Sequence, residues 1–316
     1  MYRIGLDVGS TTAKIVVLDE NGTVVYSSYR RHNANVELAV ETFLKELEST
    51  IGDKQFTLAI TGSVGLGVAE RYDICFVQEV VAATEYTKQV HPEISTIIDI
   101  GGEDAKIVYL NGGVVTDLRM NGNCAGGTGA FIDQMATLLG ITADEMDALS
   151  LQAEKRYPIA SRCGVFAKSD IQPLLNQGAA KEDIAASIYQ AVVNQTISGL
   201  AQGKPIRGCV AFLGGPLHFL PELKKAFIRT LNLSPEEIVD PENSHLFAAT
   251  GAAMETAGCE PISLRELIRR IDDGISLEFE LKRLEPLFKD QEDYLAFLTR
   301  HSQAVVEKKP IQEYSG

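Results

Sequence analysis

The stretch GLDVGSTTAK at residues 5–14 carries the strongest fold signal in this chain. It predicts a strand over Tyr2–Val8, a glycine-containing turn over residues 9–12, and a returning strand over Ala13–Leu18. A second copy of the pattern, DIGGEDAK at residues 99–106, joins predicted strands over Thr96–Ile100 and Ala105–Leu110. Because the pattern of strand, aspartate, glycine-rich turn and strand occurs twice, the sequence predicts two similar lobes.

The two strand–turn junctions carry residue types that bind phosphate. Asp7 and Asp99 are each followed by glycine within two residues, and glycine lets backbone N–H groups turn towards an anion. The hydroxyls of Ser10, Thr11 and Thr12 add donors to the first turn. The two carboxylates could together hold a hydrated Mg²⁺ between the turns. Two ordinary hairpins remain the alternative for either turn taken alone.

The bulk composition is that of an acidic globular protein. The chain has 316 residues, of which 45% are hydrophobic and 23% charged, enough for two compact lobes or one large α/β domain. A formal net charge of -14 argues against nucleic acid and anionic membranes as partners. The N-terminal residues lack the pattern of a signal peptide, and no apolar run approaches the roughly 20 residues that span a bilayer. We therefore expect a cytoplasmic protein.

Capping signals locate helix starts in the middle of the chain. Thr142 with Glu145 is typical of a capping box, and Ser169 with Gln172 predicts another. Both would satisfy backbone N–H groups of a first helical turn. The sequence therefore predicts helices that begin near residues 143 and 170.

The last third of the chain contains a short strand, a small-residue helix and a charge-rich tail. Cys209–Leu213 predicts a buried strand that ends at the turn residues Gly214, Gly215 and Pro216. Leu246–Ala257 predicts a helix whose alanines and glycine permit close packing. From Ile262 to Glu313 the pattern indicates amphipathic helices. This tail is either a docking extension or the link to a further domain.

The cysteine pattern argues against two common uses of cysteine. The five cysteines are scattered and odd in number, and no CxxC occurs, so we expect neither a disulfide framework nor a zinc site. Three of them are expected to be buried structural residues: Cys75, Cys209 and Cys259.

Cys124 and Cys163 differ from the other three in their surroundings. Both lie in glycine-containing loops just before a predicted helix, and a helix N-terminus stabilises negative charge. A [4Fe–4S] cluster usually takes four cysteine thiolates. One chain offers two, and a two-fold symmetric dimer would supply four with the cluster on its axis. The alternative is that both are buried structural cysteines.

Four motifs, in order, resemble those of the sugar kinase, actin and seventy-kilodalton heat-shock superfamily. They are DVGSTT from Asp7, DIGG from Asp99, GGP from Gly214 and ATGA from Ala249. The resemblance implies an α/β fold of two RNase-H-like lobes with the nucleotide in the cleft between them. It implies lobe I over residues 1–95 with a returning helix at 246–258, lobe II over 96–245 with the cluster cysteines, and a helical extension or linker over 259–316.

Two further segments, CAGGTGAF from Cys124 and RCGVFAKSDI around Cys163, closely resemble the cysteine loops of the activators of 2-hydroxyacyl-CoA dehydratases. That family includes the ATPase subunits of benzoyl-CoA reductase, and the resemblance covers roughly residues 3–257. It implies Cys124 and Cys163 as cluster ligands. It also implies phosphate contacts at Gly9, Ser10, Thr11, Thr12, Gly101 and Gly102, and adenosine contacts at Gly214, Gly215 and Pro216.

The chain departs from the small activators at one position. They usually show glutamine after the second glycine of DIGG, whereas this chain has Glu103. With Asp7 and Asp99, Glu103 forms the expected catalytic set, in which it could act as a base, a Mg²⁺ partner or a brake on hydrolysis. In this respect the chain looks closer to the N-terminal activator module of large multidomain members.

The activator resemblance implies a function and a set of partners. A homodimer would hold one [4Fe–4S] cluster, bind MgATP in each subunit and use ATP hydrolysis to pass a low-potential electron to a partner enzyme. The partner would be a dehydratase, a reductase or a double-cubane cluster protein, and the donor ferredoxin or flavodoxin, in an anaerobe. A small-molecule kinase of the same superfamily and an ATP-switched interaction module without a cluster remain alternatives.

Overall fold

Two β-sheets organise the larger part of the molecule. The computed structural model describes residues 1–121, 126–160, 163–272 and 285–304. The chain forms two units, Met1–Ile275 and Ser276–Gly316, and both sheets lie in the first. Among the described residues, no helix is long and apolar enough to cross a membrane.

The first sheet and the helices on it are called lobe I, and the second sheet with its helices lobe II. The strands of lobe I are β1 (Tyr2–Val8), β2 (Thr12–Leu18), β3 (Val24–Arg31), β4 (Gln55–Thr61), β5 (Cys75–Phe76) and β11 (Ile262–Ser263). Those of lobe II are β6 (Thr96–Ile100), β7 (Ala105–Asn111), β8 (Val114–Met120), β9 (Val210–Leu213) and β10 (Ile238–Val239).

The helices of the first unit surround these sheets and connect them. They are α1 (Val36–Ile51), α2 (Gly65–Tyr72), α3 (Glu79–Val90), α4 (Gly129–Leu139), α5 (Ala143–Ser150), α6 (Gly164–Asn176), α7 (Lys181–Thr196), α8 (Gly215–Phe219), α9 (Pro221–Leu231), α10 (Phe247–Met254) and α11 (Leu264–Asp272). The second unit contains α12 (Gln291–Ser302). A π-helical turn, Ile197–Ala201, extends α7, and a 3₁₀ turn, Pro235–Glu237, precedes β10.

The two sheets repeat one topology. The strand order is β11-β4-β1-β2-β3 in lobe I, with β5 also on β4, and β10-β9-β6-β7-β8 in lobe II. In each lobe the first three strands are antiparallel, and the fourth pairs parallel with the first. The duplication that the two aspartate–glycine patterns predict is therefore present in the fold.

Each lobe has its own apolar core on the helix-covered face of its sheet. In lobe I, Phe43 of α1 packs with Ile4 and Leu6 of β1. In lobe II, Ile188 of α7 packs with Ile98 and other strand residues. The burial of these side chains provides the main stabilisation of each lobe.

The helices α3 and α10 lie against each other between the lobes. A Cβ at Gly251 of α10 would overlap the carbonyl oxygen of Ala82 of α3, and one at Gly5 of β1 would overlap that of Ala249. The backbones of the three elements are thus in direct contact. The close packing expected from the small residues of 246–257 is confirmed.

One of the two capping predictions is confirmed and the other is wrong. Thr142 and Glu145 form a reciprocal capping box at the start of α5. Ser169 instead lies inside α6, where its Oγ donates to the carbonyl oxygen of Val165 at 3.2 Å. Helix α6 already begins at Gly164, because Cys163 takes the capping position.

The prediction that Cys75 and Cys259 are buried structural cysteines is wrong, because both are partly exposed and they form a disulfide. Cys75 and Cys259 are joined, with their Cα atoms 5.9 Å apart. The strand β5 that carries Cys75 pairs with β4, and Cys259 precedes β11, which pairs with the other end of β4. Sheet pairing therefore brings together two cysteines that are 184 residues apart in sequence.

The predicted C-terminal extension begins inside lobe I. The strand β11 pairs with β4, and Leu264 and Leu267 of α11 are buried in the lobe I core. In the second unit, Asp290 caps α12 and Phe288 packs against Phe297. Helices α11 and α12 confirm part of the helical expectation for the tail, and residues 273–284 and 305–316 lie outside the described residues. The boundaries at residues 95, 245 and 258 stay predictions.

Candidate functional site

The two predicted phosphate turns have the same internal geometry. In the first, the N–H of Gly9 donates to the carbonyl oxygen of Thr12 at 2.9 Å. In the second, the N–H of Gly101 donates to that of Asp104, also at 2.9 Å. Each turn thus closes across four residues between an antiparallel strand pair.

The duplication extends to a lysine opposite each aspartate. Asp7 pairs in register with Lys14, and Asp99 with Lys106. The Lys14 Nζ lies 2.8 Å from an Oδ of Asp7. The Lys106 Nζ lies 2.7 Å from Glu79 and 2.6 Å from Asp104. The site therefore contains carboxylates and ammonium groups in an interlinked cluster.

A glycine in the left-handed region supports each aspartate. Gly62 has φ of 95° and Gly214 has φ of 89°, each just after the fourth strand of its lobe. A Cβ at Gly62 would come 2.5 Å from an Oδ of Asp7, and one at Gly214 would come 2.6 Å from an Oδ of Asp99. Any side chain at these positions would displace the carboxylates, so only glycine fits.

The two turns meet across the cleft between the lobes. A Cβ at Gly102 would overlap the side chain of Thr11, so these residues are in contact. Both line a cavity of about 70 Å³ together with most of the predicted site residues: Asp7, Thr12, Asp99, Gly101, Gly214, Gly215 and Pro216.

Three of the residues predicted for the nucleotide site do not line this cavity. Gly9 and Ser10 form the back of the first turn, and Glu103 is exposed at the tip of the second. The neighbouring Asp104 contacts Lys106 instead. The roles predicted for Gly9, Ser10 and Glu103 therefore stay predictions, and the cavity geometry gives Glu103 no support.

Burial shifts the protonation equilibria of the cluster. Burial raises the pKa of Glu79 from its ordinary 4.5 to about 7, although Lys106 acts in the opposite direction. Burial likewise raises the pKa of Asp99. Burial would lower the pKa of Lys14, but Asp7 outweighs it and the pKa is raised. The raised pKa of Glu79 suits a group that exchanges protons near neutral pH.

The buried His32 forms hydrogen bonds with the backbone of the first turn. The Nδ1 of His32 accepts from the N–H of Ala34 at 3.1 Å, so this nitrogen carries no proton. The Nε2, 3.0 Å from the carbonyl oxygen of Gly9, is therefore the donor in that contact. The N–H of His32 also donates to the carbonyl oxygen of Thr11 at 3.2 Å.

A second cavity of about 600 Å³ adjoins the first. Its walls come from α4, the start of α5 and α8, and include the apolar Ile132, Ile141 and Phe219. Its volume is that of a small-molecule site. The Tyr29 hydroxyl of lobe I lies against Gly215 at its edge.

His245 lies between the aromatic side chains of this region and the first cavity. Its ring centroid is 3.8 Å from that of His218 and 5.5 Å from that of Tyr29. Burial, then His218 and Lys14, lower the pKa of His245 to about 4, so its imidazole is neutral. Its Nδ1 is buried and makes no hydrogen bond within the described residues. The Nδ1 of His245 can therefore donate or accept a hydrogen bond with a ligand in the cleft.

Cys163 caps α6 and is exposed. It is a free cysteine, and its carbonyl oxygen accepts from the N–H groups of Phe166 and Ala167 at 3.0 and 3.1 Å. An Oδ of Asp170, inside α6, accepts from the N–H of Ala160 at 2.7 Å. Cys124 lies outside the described residues.

Helix α4 connects the second turn to the start of α6, next to Cys163. The N–H groups of Gly129 and Ala130 donate to the carbonyl oxygens of Gly101 and Gly102 at 3.0 and 2.7 Å. On its other side, Gly164 packs against α4, where a Cβ would lie 3.0 Å from the Gln134 side chain. In sequence, α4 begins five residues after Cys124.

The sequence pattern of the BadF/BadG/BcrA/BcrD ATPase family matches residues 4–256. The chain belongs to this family. It is 32% identical over 217 residues to the (R)-2-hydroxyglutaryl-CoA dehydratase activating ATPase of Acidaminococcus fermentans, which covers 68% of this chain and 83% of that protein. The family assignment confirms the predicted resemblance.

Solved structures of the BadF/BadG/BcrA/BcrD type confirm the fold class. The crystal structure of component A of the A. fermentans (R)-2-hydroxyglutaryl-CoA dehydratase matches with a TM-score of 0.70 and 27% identity, over 85% of this chain and 99% of that one. The activator of the 2-hydroxyisocaproyl-CoA dehydratase from Clostridium difficile, solved with bound ADPNP, matches with a TM-score of 0.68 and 27% identity. It covers 90% of this chain and 100% of that one. The predicted actin/hexokinase-type fold is thus confirmed.

The residues of this BadF/BadG/BcrA/BcrD site that sequence reasoning missed include Lys14, Lys106, Glu79 and His32. Lys14 and Lys106 each follow an aspartate by seven residues, and this repeated spacing could have revealed them. Glu79 begins α3, far in sequence from both turns, and His32 follows β3. No local pattern connects Glu79 or His32 with the turns, because only the fold brings them there.

Proposed function

We propose that this protein is an ATP-dependent activator that passes low-potential electrons to a dehydratase or reductase acting on acyl-CoA substrates. The observation that carries the proposal is the course of α4. Its first N–H groups are bonded to the second turn, and the exposed Cys163 loop packs on its side. One helix therefore joins the nucleotide cleft to the predicted cluster ligands. The names of the relatives, a dehydratase activating ATPase and a dehydratase activator, support the activator part of the proposal.

The cleft suits a nucleotide whose phosphates face the two turns. Asp7 and Asp99 would hold a hydrated Mg²⁺, and the N–H groups and hydroxyls around Thr11 and Gly102 would contact the phosphates. Gly214, Gly215 and Pro216 would contact the adenosine, with the base in the cavity of about 600 Å³. The neutral Nδ1 of His245 is available to a ribose hydroxyl.

Glu79, rather than the exposed Glu103, is placed to handle the proton of an attacking water. It lines the phosphate cavity and its pKa lies at about 7. The ammonium of Lys106 holds the carboxyl from one side at 2.7 Å. Glu79 can therefore orient a water and take its proton when the terminal phosphate is attacked.

The Cys163 loop fits one half of a [4Fe–4S] ligand set. Its thiol is exposed and free, and it stands at the N-terminus of α6, where negative charge is favoured. Cys163 and Cys124 of two copies would supply four thiolates. When bound, such a cluster stores and releases one electron at a low potential.

We also propose that the lobes of this activator have boundaries near residues 95, 245 and 258.

The proposal is tested by anaerobic purification of wild type, Cys124→Ser and Cys209→Ser. Iron, acid-labile sulfide and molecular mass are measured on each. We expect about four irons per dimer in wild type and in Cys209→Ser, and loss of iron in Cys124→Ser. Cys209 is the matched control because it is free and partly buried at the start of β9.

Either outcome is informative. Four irons per dimer, lost with Cys124, lead on to the search for the enzyme that accepts the electron. Wild-type protein that stays free of iron after attempted reconstitution, yet binds ATP, would refute electron transfer. The assignment would then move to an ATP-switched interaction module.

A further inference from the structure

An ion pair joins lobe I to α4 at the edge of the cleft. The Nη1 of Arg31, the last residue of β3, lies 2.7 Å from one Oδ of Asp133, and its Nη2 lies 3.2 Å from the other. The contact is bidentate, the geometry in which a guanidinium binds a carboxylate or a phosphate most strongly. The side chains are 57% and 39% exposed, so solvent screens the pair.

The pair stands where the two cavities meet. Arg31 and Asp133 line both the cavity of the turns and the larger adjoining cavity. A nucleotide with its phosphates in the first and its base in the second would pass beside the guanidinium. Arg31 is therefore positioned at the phosphate–ribose part of such a ligand.

Strand register places Arg31 within reach of an anion on the first turn. Arg31 is the cross-strand partner of Thr12, and directly opposite residues on antiparallel strands are about 5 Å apart. Both residues line the cavity of the turns. The long arginine side chain can therefore turn from Asp133 towards a phosphate bound at Thr11 and Thr12.

Asp133 occupies the guanidinium edge formed by Nη1 and Nη2, and this edge cannot bind a phosphate at the same time. A phosphate group carries more negative charge than a carboxylate and offers more acceptor oxygens. We infer that Arg31 exchanges Asp133 for a nucleotide phosphate, and that this exchange releases α4 from lobe I. The inference rests on the proposed nucleotide function of the cleft.

The exchange predicts opposite effects for the two partners. Arg31→Gln removes a phosphate contact and weakens ADP binding by about tenfold, the loss of one charge-assisted hydrogen bond. Asp133→Asn removes the competitor and tightens ADP binding by up to about fivefold, the range of an exposed ion pair. Adenosine, which lacks phosphate, should bind equally to wild type and Arg31→Gln.

The experiment is calorimetric titration of MgADP, MgADPNP and adenosine into wild type, Arg31→Gln, Arg31→Lys, Asp133→Asn and the Arg31→Gln/Asp133→Asn double variant. Asp133→Asn should have no effect once Arg31 is gone. The MgADP affinity of Arg31→Lys should lie between those of wild type and Arg31→Gln, because lysine keeps the charge but cannot form a bidentate contact. Arg71→Gln, which breaks the exposed Arg71–Glu37 pair, is the control and should leave all affinities unchanged.

Hydrogen exchange over residues 129–139 tests the release of α4. Addition of MgADPNP should increase exchange there in wild type, and Asp133→Asn should show increased exchange without nucleotide. Weaker MgADP binding in both single variants would show that the pair only braces the cleft and would overturn the inference alone. Wild type that binds no nucleotide would overturn the proposed function and the inference together.

Discussion

Replacement of Glu79 by glutamine should change how the stability of the nucleotide-free protein depends on pH. Burial raises the pKa of Glu79 from 4.5 in the unfolded chain to about 7 in the folded protein. The folded state therefore holds more protons between these two values. By linkage, the stability due to Glu79 is complete below pH 4.5 and is lost as the pH rises through 7.

The magnitude follows from the distance between the two pKa values. At 1.36 kcal/mol per pH unit, the interval from 4.5 to about 7 corresponds to about 3 kcal/mol of unfolding free energy. This is an upper value, because 25% of the Glu79 side chain is exposed. Lys106 has a raised pKa and stays charged throughout. The loss of its partner in Glu79→Gln therefore changes the unfolding free energy by the same amount at every pH in this range.

The assay is urea denaturation of wild type, Glu79→Gln and Glu70→Gln at pH 5 and pH 8. Glu70→Gln changes an exposed glutamate of α2 and is the control. Between pH 5 and pH 8 the stability of wild type should fall relative to Glu79→Gln by 2 to 3 kcal/mol, roughly the value above. An unchanged difference between these two proteins at both pH values would refute the argument that burial dominates at Glu79.

Three other substitutions test separate features. Gly214→Ala forces a Cβ against Asp99 at a φ of 89° and should lower the free energy of unfolding by at least about 2 kcal/mol, measured in urea. Cys75→Ser opens a bond between residues 184 apart, so oxidised protein should lose up to about 5 kcal/mol of stability in the same assay. His32→Ala removes the donor to Gly9 and should raise the KM for ATP by about fivefold in a steady-state ATPase assay.

The glycine and cysteine substitutions have matched controls, and the histidine substitution has a clear contradicting outcome. Gly258→Ala adds a Cβ with nothing within 4 Å and should be silent, so equal losses at both glycines would contradict the role of Gly214. Cys75→Ser should match wild type under a reducing agent, and Cys209→Ser should have no effect in either condition. An unaltered KM in His32→Ala would mean that the first turn holds its shape without the histidine.

The two turns were predictable because local chemistry determines them. A strand that ends in aspartate and glycine can be recognised within ten residues, and the bounds of β1 and β6 agree with the prediction residue for residue. The contacts that complete the cleft were not predictable in this way. Glu79 contacts Lys106, which lies 27 residues away in the sequence, and Arg31 contacts Asp133, which lies 102 residues away.

The wrong predictions have the same origin. The capping signal at Ser169 is local, whereas in the structure Cys163 takes the capping position and α6 begins at Gly164. The scattered cysteines gave no sign of a pair, but the pairing of β5 and β11 with one strand brings Cys75 and Cys259 together. In both cases tertiary pairing overrides a signal that composition or a short motif provides.

The contact between α3 and α10 affects how the lobes can turn. Helices usually interlock through ridges of side chains, and these ridges favour particular crossing angles. At Gly251 and Ala82 the two backbones touch with no side chain between them. A smooth contact of this kind can act as a pivot, because rotation about it requires no side chain to leave a groove. Opening and closing of the cleft would then be opposed mainly by polar contacts at its edge, which a nucleotide can replace, and little by the contact between α3 and α10.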